Sequence, residues 1–282
     1  MPTTDEPCFD DPRMADKLAA LESNLSSLGS VLVCYSGGID SALLLAVAHR
    51  ALGRGAVGMT AVSPSLAPSE LEDARETARV IGVEHVIVET GEFAIADYVA
   101  NPPDRCLHCK TELYRVAQGE RQKRGLAAVV NGANQDDLGD YRPGLEAAKR
   151  AGVASPFIDV GFTKQDVRAV ARSLGLALWN KPAAACLASR VPYGTTITAE
   201  LLQRIAGAEQ AIKALGFPQV RVRCHGELAR IELHPDEVER AAEPDLRRRI
   251  VEACQANGFR YVALDLVGYR QGSLNEVLRE VP

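Results

Sequence analysis

Apolar positions change their spacing along the chain, and the changes mark out elements. Leu18, Leu21, Leu25 and Leu28 recur at three- and four-residue intervals and predict a helix over 16–28. Val31, Leu32 and Val33 form a short apolar run that Ser36, Gly37 and Gly38 break. The apolar stretch after Ser41 then predicts a helix that Gly53 ends. Ala56–Val62 reads as a second strand. Ser69–Glu72 has the capping-box pattern and opens a helix to about Ile81, closed by Gly82. Val83–Glu89 and Leu126–Val130 read as further strands, and Thr163–Asp166 opens another capped helix that ends near Leu174 and Gly175. Strands alternating with helices predict an α/β fold, a parallel sheet sandwiched by helices, with ligands at the carboxyl ends of the strands.

After Lys181 and Pro182 the pattern changes. Thr198–Leu215 predicts a helix closed by Gly216. Gln219–His225 and Leu228–His234 alternate around Gly226 and Glu227 as a hairpin, Pro235–Ala256 predicts one helix, and Phe259–Leu266 a last strand. The expectation is two domains, an α/β domain over 1–182 and a smaller α+β domain over 183–282. No internal repeat or low-complexity tract is visible.

A length of 282 residues allows a large core in one or two domains. The net charge of −5 gives no global basic bias and argues against a nucleic-acid partner. No apolar run approaches the roughly 20 residues of a membrane span. The acidic, polar residues 1–15 are unlike a signal peptide, so a cytoplasmic location is expected. Seven cysteines in such a chain suggest free thiols, metal ligands or catalysis rather than disulfides.

The chemistry concentrates at a few stretches. Ser36-Gly-Gly-Ile-Asp-Ser41 follows a strand and opens a helix. Its glycines let the backbone approach a ligand, and the free amides of the turn and helix start favour an anion such as phosphate. Walker A needs a Lys that is absent here, and the Rossmann fingerprint a third glycine. Cys106 and Cys109 form a Cys-x-x-Cys, which reads as a redox pair, half a zinc site, part of an iron–sulfur site or a buried inert pair. Arg105 and Lys110 beside it favour thiolate. Cys186 is followed by Ser189 and Arg190, a polar, electropositive setting that suits a reactive thiolate; a small buried hydrophobe is the alternative. Arg221 and Arg223 share one face of a strand and suit bidentate phosphate recognition, or lie on a solvated face. Asp40 and Asp137 suit Mg²⁺, although Asp136 and Asp137 equally suit a turn. Glu209 and Glu232 are weaker acidic candidates near the cysteine. Trp179 could stack on a ring or fill the core. His49, His85 and His234 read as structural or surface residues, and Cys34, Cys224 and Cys254 as lacking ligand spacing.

The motif Ser36–Ser41 resembles the PP-loop ATP pyrophosphatases, which cleave ATP between its α and β phosphates and adenylate a substrate. Arg105-Cys-x-x-Cys-Lys110, Asn131-Gly-Ala-Asn-x-Asp-Asp137, Tyr141-Arg-Pro-Gly144, Ala185-Cys-Leu-Ala-Ser-Arg190, Val220-Arg-Val-Arg223 and His225-Gly follow it in order. Over roughly 20–270 the set resembles the LarE family of ATP-dependent sulfur transferases, which serve nickel-pincer nucleotide cofactor synthesis. The resemblance implies adenylation of the carboxylates of a small-molecule nucleotide, pyridinium-3,5-biscarboxylic acid mononucleotide, followed by thiolation. It implies ATP and Mg²⁺ as cofactors. Cys186, Ser189 and Arg190 are implied as catalytic. Ser36, Gly37, Gly38, Asp40, Ser41, Met59, Arg105, Asn131, Asp137, Arg142, Arg221 and Arg223 are implied as nucleotide- or substrate-binding. In one form of the family the cysteine matching Cys186 gives up its sulfur and becomes dehydroalanine. In the other, three cysteines hold a [4Fe–4S] cluster, and the presence of Cys106, Cys109 and Cys186 favours this form. The resemblance also implies a homo-oligomer, possibly a hexamer. The other readings are tRNA thiolation, an amide-forming synthetase, and a non-catalytic nucleotide or metal sensor.

Overall fold

The computed structural model describes residues 11–139, 143–181, 185–270 and 272–275. In chain order the elements begin with α1 (Pro12–Ser27), β1 (Val31–Cys34), α2 (Ile39–Leu52), β2 (Ala56–Val62), α3 (Pro68–Ile81) and β3 (Glu84–Glu89). Next come α4 (Ala96–Val99), α5 (Arg105–Arg124), β4 (Ala128–Val130), α6 (Pro143–Arg150), α7 (Pro156–Asp159) and α8 (Lys164–Ser173). Last are α9 (Ala199–Ala214), β5 (Val220–His225), β6 (Leu228–Leu233), α10 (Val238–Ala241), α11 (Pro244–Ala256) and β7 (Tyr261–Leu264).

The chain forms two units that are not contiguous in sequence. One takes in the chain up to Ser63, Pro68–Ile95 and Asp104–Ala184; the other takes Pro64–Ala67, Ala96–Pro103 and the chain from Ala185 on. The sequence reading divides the chain once, at 182/183. The two short upstream segments join the second unit through long-range hydrogen bonds. Leu187 donates its N–H to the Ser65 carbonyl at 2.9 Å, and Ile197 to that of Val99 at 2.9 Å.

The first unit holds a four-stranded sheet in the order β3-β2-β1-β4, with every pairing parallel. This is the sheet the alternation predicts. Its central strand, Val31–Val33, is fully buried, as expected of a parallel strand covered on both faces. On one side Leu18, Leu21 and Leu25 of α1 join Leu43, Leu44 and Val47 of α2 and Val167 and Val170 of α8 in the core. On the other, Leu32, Val57, Met59 and Val129 pack with Tyr114 and Ala117 of α5. The chain order reverses between β1 and β4. In open α/β sheets that crevice, at the carboxyl ends, is where ligands bind.

The second unit has the three-stranded order β5-β6-β7. β5 and β6 form the predicted hairpin, with Val220 opposite Leu233 and His225 opposite Leu228, and β7 lies parallel to β6. Thr198 caps α9 by accepting the Leu201 N–H. The single helix expected over Pro235–Ala256 is instead a turn, α10 and α11, because Pro244 starts a new helix at its first position. The described residues contain no helix long and apolar enough to cross a membrane.

Candidate active site

The Ser36–Ser41 loop leaves β1 and opens α2, as its sequence predicts. Gly37 has φ 77°, and a Cβ there would lie 3.0 Å from the Ala74 Cβ and 3.3 Å from the Glu70 carbonyl, so conformation and space both require glycine. The buried Ser41 hydroxyl ties the loop together. It accepts the Ser36 N–H at 3.1 Å, donates to the Gly38 carbonyl at 3.1 Å and lies 3.1 Å from the Ser36 hydroxyl. Gly38 caps α2 with no side chain of its own. The first-turn amides of α2 lack intrahelical partners and, with the helix dipole, favour an anion.

The turn after β4 meets this loop across the strand reversal. A Cβ on Gly132 would lie 2.9 Å from the Ser41 amide nitrogen and 3.0 Å from the Asp40 carbonyl carbon, so the two backbones touch. Asn131 accepts from the Ala133 N–H and the Ser155 hydroxyl, each at 3.0 Å, and its amide donates to the Tyr114 hydroxyl at 3.4 Å. Asn134 donates its side-chain amide to Asp40 at 3.0 Å. The other Asp40 oxygen pairs with the Lys164 ammonium at the start of α8. Asp137 accepts the Asn134 N–H at 3.0 Å, and Asp136 accepts the Lys164 N–H at 2.8 Å. Both aspartates thus serve the turn reading, and Asp40 is the carboxylate next to the phosphate loop.

The Cys-x-x-Cys lies on the first turn of α5, with Cys106 exposed and Cys109 half-buried. Arg105 is buried. Burial opposes a charge on Lys110, but Tyr114, Cys109, Cys34 and Cys106 around it raise its pKa. At the end of β1, burial pushes the thiol of the half-exposed Cys34 up to about 12, which disfavours its thiolate. Met59, implied by the resemblance as nucleotide- or substrate-binding, is buried in the core with Leu32 and Val57, and its carbonyl accepts the Tyr35 N–H at 2.8 Å. Trp179 fills no core; it is 37% exposed, and the Arg172 guanidinium lies 5.1 Å over its ring. The Thr60 hydroxyl donates to the Tyr35 carbonyl at 2.7 Å and lies 2.8 Å from His85 Nε2, consistent with a structural His85.

In the second unit Cys186 is exposed and opens the short turn Leu187–Arg190. Arg190 is buried and forks onto Glu209, Nε to Oε1 at 2.8 Å and Nη2 to Oε2 at 3.0 Å. Its Nη1 donates to the carbonyls of Ala185 and Cys186 and to the Ser189 hydroxyl, at 2.6, 3.0 and 3.0 Å. Arg190 therefore shapes the Cys186 segment, and Glu209, a weak candidate in the sequence, is what holds it. Arg223 donates to the Ser189 carbonyl at 2.7 Å and to Glu232 at 2.8 Å. Arg221 lies 5.3 Å over the Tyr269 ring, and burial, then the nearby Arg190, lowers its pKa. Both arginines are buried, which removes the solvated-face reading. Among the described residues, the buried guanidiniums of Arg190, Arg221 and Arg223 gather with the buried carboxylates of Glu209 and Glu232, and Arg223 Nε is buried with no hydrogen-bond partner. Buried guanidinium forks of this kind suit an anionic ligand.

Sequence reasoning missed Gly132, Asn134 and Lys164 as site residues. The first two lie in the quoted motif Asn131–Asp137, and Lys164 inside the capping pattern. Tyr141, Arg142 and Pro182 lie outside the described residues. Among the described residues no three His, Cys, Asp or Glu side chains gather as a metal site, so the three-cysteine ligand set rests on the sequence.

Residues 18–111 match the asparagine synthase family model. The chain is 46% identical to an uncharacterised protein of Synechocystis sp. over 94% of its length and 99% of that protein's. It is 39% identical to the pyridinium-3,5-bisthiocarboxylic acid mononucleotide synthase of Lactiplantibacillus plantarum, over 94% of this chain and 96% of that enzyme. A tRNA-specific 2-thiouridylase of Heliobacterium modesticaldum is 30% identical over 54% of this chain and 50% of its own.

Proposed function

The chain belongs to the family of the pyridinium-3,5-bisthiocarboxylic acid mononucleotide synthase, and from that premise we propose that it is an ATP-dependent sulfur transferase acting on the corresponding biscarboxylated mononucleotide. A substrate carboxylate oxygen attacks the α-phosphorus of ATP, the bond to the β-phosphate breaks and pyrophosphate leaves. A sulfur nucleophile then attacks the acyl carbon, and the bond to AMP breaks. One such round per carboxylate gives the bisthiocarboxylate.

The observation that carries this reading is a phosphate loop at the strand reversal in the same chain as buried guanidiniums beside the Cys186 segment. The α2 amides with the Ser36 and Ser41 hydroxyls hold phosphate. Asp40, paired here with Lys164, would hold Mg²⁺ as a hard oxygen ligand, and the ion would supply neutralisation of the charge on the departing pyrophosphate. Arg221 and Arg223 grip the phosphate of the substrate. Arg190, held by Glu209, keeps Cys186 at the surface of its turn. Arg105, Asn131, Asp137, Arg142 and Met59 are proposed nucleotide-side residues.

For the sulfur source we favour a [4Fe–4S] cluster on Cys106, Cys109 and Cys186. Two exposed thiols and one half-buried thiol, with Arg105 and Lys110 beside the pair, are soft, thiolate-prone donors that suit iron. Such a cluster, when bound, supplies an open iron that carries the transferable sulfide. The family resemblance further supports a cytoplasmic homo-oligomer, a hexamer.

The test is an anaerobic turnover with ATP, Mg²⁺ and the biscarboxylated mononucleotide. Pyrophosphate release that depends on the carboxylate, together with thiocarboxylated product by mass spectrometry, is expected. Release without that substrate, or none with it, sinks the reading. Iron and sulfide that are lost on Cys106→Ala, Cys109→Ala or Cys186→Ala, with Cys186 intact after turnover, establish the cluster. No iron, and loss of H₂S from Cys186, establish the sacrificial form instead.

A further inference from the structure

Asn101 is the one non-glycine with a positive φ among the described residues, at 57°, and it is completely buried. Few side chains accept that conformation, and a position that keeps one usually uses it. Its side-chain amide faces three carbonyls, those of Val191, Pro192 and Thr195, at 3.4, 2.8 and 3.1 Å. Its own carbonyl accepts the Gly194 N–H at 2.9 Å, and two residues earlier Val99 accepts that of Ile197 at 2.9 Å. The segment Ala96–Pro103 is thereby sewn to the stretch that runs on from Cys186, Ser189 and Arg190. In sequence, Asp104, Arg105 and Cys106 follow that segment directly. Within its own unit, one side chain thus anchors the peptide that leaves the Cys186 turn.

We propose that Asn101 is a positioning residue for sulfur delivery, holding in place through this clamp the stretch that runs on from the Cys186 turn, a role that rests on the proposed sulfur transfer. It touches no reacting atom. The phosphate loop belongs to the other unit and uses none of these bonds, so the clamp bears on the second half-reaction and not on the first. An acyl adenylate formed without sulfur in place is open to water. Water then attacks the acyl carbon, the bond to AMP breaks, and the carboxylate is regenerated with ATP spent.

The test measures pyrophosphate released per thiocarboxylate formed, in the full-length protein, for three variants. Asn101→Asp keeps the shape but loses the amide donors, Asn101→Gly keeps the backbone conformation without the clamp, and Leu233→Ala opens a cavity in the core of the same unit. The wild type is expected to release one pyrophosphate for each thiocarboxylate. Both Asn101 variants are expected to raise that ratio by about tenfold to a hundredfold while pyrophosphate release itself stays near wild type, since a small misplacement of reacting groups costs that much. Leu233→Ala is expected to leave the ratio unchanged, whatever it does to stability. An unchanged ratio in both Asn101 variants, whether their activities fall together or not at all, overturns the positioning role and leaves the clamp merely structural. A wild type that releases pyrophosphate with no thiocarboxylate overturns the proposed function before any variant is read.

Discussion

At Gly132 a single methyl group is decisive. The Ser41 amide and the Asp40 carbonyl carbon stand 2.9 and 3.0 Å from where a Cβ would sit, and both are backbone of the phosphate loop. Gly132→Ala is expected to cost about 1–3 kcal/mol through overpacking and to abolish most substrate-dependent pyrophosphate release, measured alongside the thermal midpoint. Thiol reactivity separates the cysteines in the same residue-by-residue way. Burial raises the pKa of Cys34 and Cys254 to about 12 and lifts that of Cys224. Iodoacetamide at mildly alkaline pH, on metal-free protein, is expected to label Cys106 and Cys186 and spare these three, read by peptide mass. Labelling of Cys34 ahead of Cys106 would contradict this. At this scale the phosphate loop was legible because all its chemistry falls within six neighbouring residues, Ser36–Ser41. Asn134 and Lys164 were not, because their shared partner Asp40 is 94 and 124 residues away. No local pattern carries a hydrogen bond of that span.

Elements were read well where one periodicity dominated and poorly where charge masked it. β2 spans the expected Ala56–Val62 and α8 the expected capped segment, with the capping box of Thr163 and Asp166 in place. The twenty-residue α5 was not anticipated, since its charged residues outnumber the apolar ones that would draw a stripe. The single helix expected over Pro235–Ala256 breaks at Pro244, which lacks the N–H a continuing helix needs and opens α11 instead. The α8 cap also makes stability depend on pH. Burial works against the Asp166 charge, yet hydrogen bonds from Lys17 at 2.5 Å and from Thr163 outweigh it and lower the pKa below 3.8. A carboxylate with a depressed folded-state pKa stabilises above its unfolded value, and that stability is lost as pH falls through the folded one. Wild type is therefore expected to lose stability below about pH 4 more steeply than Asp166→Asn. Thr163→Ala should cost about 1 kcal/mol at neutral pH, checked by urea unfolding.

For the molecule as a whole, the sequence indicated two kinds of architecture but not how the chain divides between them. A change of texture after Lys181 is visible in a one-dimensional reading. The membership of Pro64–Ala67 and Ala96–Pro103 is not, because it is fixed only by hydrogen bonds to residues far downstream. That interleaving has a consequence for how the protein is made. While the chain is still being synthesised, Asn101 has none of its acceptors, and Thr195 follows 94 residues later. At about 5–20 residues per second this is a wait of about 5–20 s. During that interval the cysteine pair has already left the ribosome while the third cysteine and its clamp do not yet exist. The nascent chain thus passes through a window in which the two thiols of the pair meet oxidants and stray metal ions before the third cysteine exists.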